Sequence, residues 1–319
     1  MVVNDFVNSK QGVLNKPAQK KLFKRMKRHW QFYVMVLFPV AFLIVFNYAP
    51  MFGAVLAFKN YNVVKGILGS PWAGLKYFNM LFTDPEFPII LRNTLEISLS
   101  LLIFGFPAPL ILALALNEVR IRPFKRTVQM VTYAPYFIST VVMGSMIIML
   151  LDPNSGLVNE ILNFFGMKSI NFLGRPDLFV PVYVVTDIWQ TAGYSAVIFL
   201  AALAGIDPSL YEAAKIDGAS KWQKIIHVDL PGILPTVVIL LILSAGNIMG
   251  VAVDKILLLQ NPLNLSTSEV ISTYVYKMGL INDDVSFAAA IGLFNSAVNL
   301  VLILIVNTVA KRVSKVGLW

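Results

Sequence analysis

The chain has 319 residues, of which 57% are hydrophobic and 13% charged, and its mean hydropathy is +0.72. It carries a formal net charge of +9, no cysteine and two histidines, His29 and His227. Soluble domains average about 25% charged residues, so the composition excludes an ordinary soluble fold. The lack of cysteine excludes disulfides and thiolate chemistry, and two histidines cannot build a histidine-rich metal site.

The first 31 residues hold eight Lys and Arg, and the first 20 are polar without periodicity. Six apolar runs follow, near 32–56, 94–116, 128–151, 178–203, 233–253 and 287–310. Each reaches the ~20 residues that cross ~30 Å of hydrocarbon as a helix. Alternating strand patterns are absent, so helices are expected throughout. The first run is too long for a signal peptide and lacks a small-residue cleavage site, so it reads as a retained helix.

Lys and Arg set the orientation. The basic start, the loop with Arg120, Arg122, Lys125 and Arg126, the loop with Lys215, Lys221 and Lys224, and the tail with Lys311, Arg312 and Lys315 hold 18 of the 26. These segments are expected in the cytoplasm, with both termini. The positive charge flanks apolar runs instead of forming a compact basic domain, so nucleic acid is not expected as a partner, whereas the lipid bilayer is. The opposite loops carry turn signals such as Ser70-Pro71-Trp72, Asp152-Pro153-Asn154 and Asn261-Pro262.

The fourth loop, 205–231, has explicit local chemistry. Ser209 and Glu212 have the spacing of a capping box, with Asp207 as a rival N-cap that would put Pro208 at N1. A short helix should run to about Ile216, and Gly218 suits the left-handed position that ends it. Ser220 and Gln223 have the spacing of a second box, and Pro231 falls where the next membrane helix begins. Two short helices joined by a Gly turn are expected under the membrane. On the first, Ala213 and Ala214 leave a nearly flat surface, Leu210 and Tyr211 offer anchors, and Glu212 and Asp217 offer acceptors. By themselves, capping boxes mark helix starts and nothing more.

The string Glu212-Ala213-Ala214-x-x-Asp217-Gly218-Ala219, followed by Leu230-Pro231, resembles the EAA loop of binding-protein-dependent ABC importer permeases. The resemblance covers roughly Phe32 to Trp319. Asn47-Tyr48-Ala49-Pro50, Leu91-Arg92-Asn93-Thr94, Ala115-Leu116-Asn117-Glu118 and Asn154-Ser155-Gly156-Leu157 are similar to the oligosaccharide, or polysaccharide-type, branch of that family. Gly250-Val251-Ala252-Val253-Asp254-Lys255 departs from it, lacking an expected aromatic and glutamate.

The resemblance implies an all-α, six-helix type I ABC importer transmembrane domain in a prokaryotic cell membrane. It divides the chain into a basic tail (1–31), a first helix with an outer segment (32–88), a five-helix core (89–310) and a tail (311–319). It also implies a second permease subunit, making a heterodimer, an extracytoplasmic solute-binding protein and a cytoplasmic ATPase dimer that carries ATP and Mg. Leu210, Tyr211, Glu212, Ala213, Ala214, Asp217, Gly218 and Ala219 would couple to that ATPase. The chain has no phosphate-binding Gly-x-x-x-x-Gly-Lys-Ser/Thr string. No cofactor, metal or catalytic residue is expected on it. The substrate would be a carbohydrate, and the branch implies an oligosaccharide.

Polar residues inside spans are candidates for the substrate path. Asp187, Gln190, Thr191 and Tyr194 follow i, i+3, i+4, i+7 spacing and share one helix face. Asn247, Asn295 and Asn299 join them, and Tyr133 and Tyr136 stand one turn apart in the third run. Hydrogen bonding between helices explains any one of these equally well. An ion-coupled transporter would use Asp187, with Glu96 and Asp254 nearer the span ends. A membrane enzyme would need a catalytic cluster that is missing, and a scaffold subunit would leave the loop string unexplained.

Overall fold

The structure is a computed structural model that describes residues 28–314 and residue 317. Most of the expected basic start, and Lys315 of the tail, lie outside the described residues. The described chain is helical, with one isolated antiparallel bridge between Lys59 and Trp72 and no β-strand among the described residues. It divides into two compact units between Val55 and Leu56.

The first unit holds helix α1, Trp30–Leu43, a widened π turn at Ile44–Tyr48 and a short helix, Ala49–Met51. The helical stretch Trp30–Phe58 is long and apolar enough to span a membrane.

The second unit holds the other spans. Helix α2, Phe87–Ser100, continues through a π turn at Leu101–Gly105 into α3, Pro107–Glu118. Helices α4, Arg122–Tyr133, and α5, Thr140–Leu150, follow. Helix α6, Pro176–Ala204, runs 29 residues. The loop helix α7, Pro208–Ile216, leads to α8, Lys221–Lys224, and α9, Leu230–Gly246. After the short α10, Val253–Leu259, the chain ends in α11, Val285–Ser314.

Four of the expected runs gain residues at each end and remain single crossings: Trp30–Phe58, Phe87–Glu118, Pro176–Ala204 and Val285–Arg312. The third does not. In place of one helix over 128–151, Arg122–Phe137 and Thr140–Leu150 meet at 106°. The cause is local: Pro135 lies in a 3-10 turn, and Ile138 and Ser139 are extended. Counting that bent pair once gives six candidate spans among the described residues, otherwise five.

The fifth span also differs from expectation. The second short helix of the loop is not separate, because Lys221–Gly246 is one helical stretch of 26 residues. The π turn Ile225–Asp229 joins α8 to α9 without a break. The same device recurs: Pro50, Pro107 and Pro231 each lie two residues past a π turn. Proline has no N–H and its ring collides with the carbonyl four residues back, and a wider turn relieves that collision.

Small residues let helices approach closely. A Cβ on buried Gly193 of α6 would stand 2.0 Å from the Thr132 carbonyl oxygen of α4. On Gly246 of α9 it would stand 2.7 Å from Ile303 of α11. Around these contacts lie buried clusters, one joining Ala113, Ala196, Phe199 and Ile233 from α3, α6 and α9.

Candidate functional site: the loop helix and the cavity above it

Helix α7 is nine residues long, about 13 Å. Its N-cap is Asp207, whose carboxylate accepts from the Ser209 N–H at 2.9 Å, with Pro208 in the first turn. The Ser209–Glu212 box therefore does not form. Proline fits N1, where its missing N–H would have no partner anyway, and this moves the cap back to Asp207. The bond from the Ser209 N–H, helped by the Ser209 side chain, holds the Asp207 carboxyl below the usual carboxylate range. At the other end Gly218 takes φ +71°, and the Ala219 N–H reaches the Ala214 carbonyl at 2.9 Å, a Schellman closure. The second box, Ser220 with Gln223, is complete.

The outward side of the loop is open. Glu212, Ala213, Asp217 and Ala219 are exposed, as are the large apolar side chains Leu210, Ile216 and Trp222. The inward side is fastened. The Tyr211 hydroxyl donates to Asp229 Oδ1 at 2.6 Å, and Asn117 Nδ2 approaches the same oxygen at 3.4 Å. Asp229 is fully buried in the π turn at the foot of the fifth span. Lys224 pairs with Glu118 at the end of α3 and lies 5.5 Å from the centre of the Tyr211 ring. Burial, then the bond to Asp229, pushes the Tyr211 hydroxyl up to about 12.

Sequence reasoning placed Tyr211 in this loop, counted Lys224 for orientation and Asn117 and Glu118 for the resemblance, but gave no partner to any of these or to Asp229. One signal was available: Asn117 and Glu118 end an apolar run, and Asp229 begins one. Polar groups at the feet of two spans are obliged to find partners.

Above the network is a cavity of 510 Å³. Its polar lining is Ser98, Asp187, Thr191, Ser195, Ser244 and Asn247, set among Leu, Ile and Phe side chains of the π turn before α3, of α6 and of α9, with Pro109 of α3. Asp187 is the one charged residue in that lining, and Lys255 of α10 meets it at 3.2 Å. The Lys255 side chain is 3% exposed and sits 5.2 Å from the Tyr183 ring.

Three of the seven substrate-path candidates, Asp187, Thr191 and Asn247, therefore line the cavity. Asn299 instead accepts from the Met249 N–H at 3.1 Å, holding the irregular backbone beyond α9. Asn295 and Gln190 are half-buried and lie outside the cavity lining. Tyr194 stacks on Tyr136 with ring centres 3.9 Å apart and planes at 5°. Among the described residues no group of three or more His, Cys, Asp or Glu could hold a metal ion.

Residues 105–315 match the family described as binding-protein-dependent transport system inner membrane component. The chain is 42% identical over 308 residues to the polygalacturonan/rhamnogalacturonan transport system permease protein YteP of Bacillus subtilis (strain 168), covering 96% of each chain. It is 38% identical over 294 residues to protein LplB of the same organism, covering 92% of each. A solved structure of a bacterial alginate ABC transporter, in complex with alginate pentasaccharide-bound periplasmic protein, contains a similar chain. The TM-score is 0.85 and the identity 38%, over 93% of this chain and all of that one. This chain belongs to the family of binding-protein-dependent transport system inner membrane components, and it is a multi-pass transport subunit, not an enzyme.

Proposed function

We propose that this chain imports an oligosaccharide as one of two permease subunits, a heterodimer, served by an extracytoplasmic binding protein. A separate ATPase dimer holding ATP and Mg drives it from the cytoplasm. The membrane is the inner membrane of a prokaryote, with both termini cytoplasmic. Residues 1–31 and 311–319 are tails, 32–88 is the first span with its outer segment, and 89–310 is the core. The loop at 205–231 presents Leu210, Tyr211, Glu212, Ala213, Ala214, Asp217, Gly218 and Ala219 to the ATPase.

The observation that carries this reading is the network around Asp229. It joins an exposed helix to the feet of α3 and α9, two helices that also wall the cavity. A push on the loop helix therefore has a hydrogen-bonded route to the walls. The saccharide class is supported by the similarity to the polygalacturonan/rhamnogalacturonan permease and to the alginate transporter, and by a lining of hydroxyl and amide groups set among apolar side chains. An ion-coupled mechanism is less well served, since Lys255 neutralises the single cavity carboxylate.

The test is co-purification from native membranes with partners identified by mass spectrometry. A second permease and an ATPase should come with the wild type, and the ATPase should be depleted with Gly218→Pro. Recovery of the chain alone would sink the importer reading.

A further inference from the structure

Asp229 is a fully buried carboxylate with one oxygen served and one not. Its Oδ1 accepts from the Tyr211 hydroxyl and the Asn117 amide, both neutral donors. Its Oδ2 is also buried, and among the described residues none donates to it. A buried carboxylate is unfavourable unless a cation or several donors answer it.

One cation stands close by. Lys224 pairs with Glu118 at the end of α3. Its Nζ lies 5.5 Å from the centre of the Tyr211 ring, and that ring carries the hydroxyl that meets Asp229. The helix between Lys224 and Asp229 is the π turn Ile225–Asp229. Residues five apart stand about 140° apart around a regular α-helix. A π turn closes over five residues, so it brings Lys224 and Asp229 toward one side of the span. The turn that accommodates Pro231 therefore also sets a lysine one turn from a buried carboxylate of its own helix, with a second carboxylate, Glu118, on the neighbouring helix.

We infer that Lys224 is a positioning residue with two seats: on Glu118 it latches the foot of the fifth span to the foot of α3, and on Asp229 it releases α3. The first seat joins two helices, and the second lies within one. Breaking a buried ion pair from one side strands a charge. A second seat removes that penalty, because the ammonium passes from one carboxylate to the other as the two feet separate. All the side chains belong to this chain, so the latch needs no contact from another subunit. Its role in transport rests on the proposed function, in which the loop helix carries the movement of the ATPase to the span.

The test uses the intact complex, purified from native membrane and placed in lipid nanodiscs. Hydrolysis of Mg-ATP is measured without binding protein or saccharide. Glu118→Gln and Lys224→Gln open the latch, and each should raise the rate at least about threefold. Asp229→Asn removes the second seat while keeping an acceptor for the Tyr211 hydroxyl, and it should lower the rate at least about threefold. Lys224→Arg keeps the charge and should stay within about twofold of the wild type. In the Lys224→Gln background neither carboxylate substitution should move the rate by more than about twofold, since both act through the lysine. Shifts of the same sign from Glu118→Gln and Asp229→Asn, or effects that persist without Lys224, overturn the inference and leave the proposed function standing. If Asp229→Asn does not assemble, the rise in Glu118→Gln and its loss in the Lys224→Gln background decide the matter alone. A chain that purifies without any hydrolysing partner sinks the proposed function, and the inference falls with it.

Discussion

The Tyr211 hydroxyl lies 2.6 Å from the Asp229 carboxylate, and this bond fixes the helix of the 205–231 loop to the foot of a membrane span. Hydrogen bonds to charged groups contribute about 1.5–3 kcal/mol. Tyr211→Phe should therefore lower thermal stability in detergent while leaving membrane insertion intact. It should also reduce transport for each ATP hydrolysed, because the loop helix can then move without the span. A variant with full coupling would show that Asp229 is only a buried polar group.

The same bond has a pH signature. The Tyr211 hydroxyl is pushed up to about 12, so it remains protonated through the range where an ordinary tyrosine ionises near 10. The bond is intact below pH 10 and is lost as pH rises toward 12. Subtracting the tyrosinate absorbance titration of Tyr211→Phe from that of the wild type should leave one step near pH 12. A step near pH 10 would mean that the hydroxyl is freely solvated.

Glu212 separates docking from capping. Asp207 caps α7, so the exposed Glu212 carboxylate is not needed for the helix. Glu212→Lys should leave the melting temperature unchanged while reducing ATPase recovery in co-purification. Gly218→Pro should remove the φ +71° turn, since proline is held near −65°. A loss of stability in Glu212→Lys would return this residue to a purely local role.

Much of this architecture was legible in the sequence because hydrocarbon imposes a simple rule on composition. The long apolar runs located the crossings, and Gly218 and Ser220-Lys221-Trp222-Gln223 gave the turn and the second cap from local chemistry. What was not legible depended on partners distant in the chain. Asp229 finds Asn117 over 112 positions, and Asp187 finds Lys255 over 68. The break near Pro135 was hidden for another reason: hydropathy averages over a window and cannot register two extended residues.

Gly193 is the position where helix packing is least forgiving. A methyl group there would stand 2.0 Å from the Thr132 carbonyl oxygen, a backbone atom that cannot rotate away. Gly193→Ala should cost at least the ~1–3 kcal/mol typical of overpacking and should disturb the Tyr136–Tyr194 stack one residue along. The measurement is thermal unfolding in detergent, with Ala192→Gly as a control on the same helix. An unchanged melting temperature would mean that α4 is free to slide on α6.

The Asp187–Lys255 pair is set up for a double-mutant cycle. Lys255 is almost wholly buried, so removing Asp187 alone leaves a cation without its counter-ion. Breaking a buried pair from one side costs about 3–5 kcal/mol, whereas replacing both partners with apolar groups is often neutral. Asp187→Leu and Lys255→Met should each lower the melting temperature sharply, and the double variant should recover most of the loss. Transport distinguishes the roles further, since the pair joins α10 to the cavity wall. If the double variant is stable and transports normally, the charges serve only to satisfy each other. If it is stable but inactive, the bond between α10 and α6 has to break and re-form during the cycle.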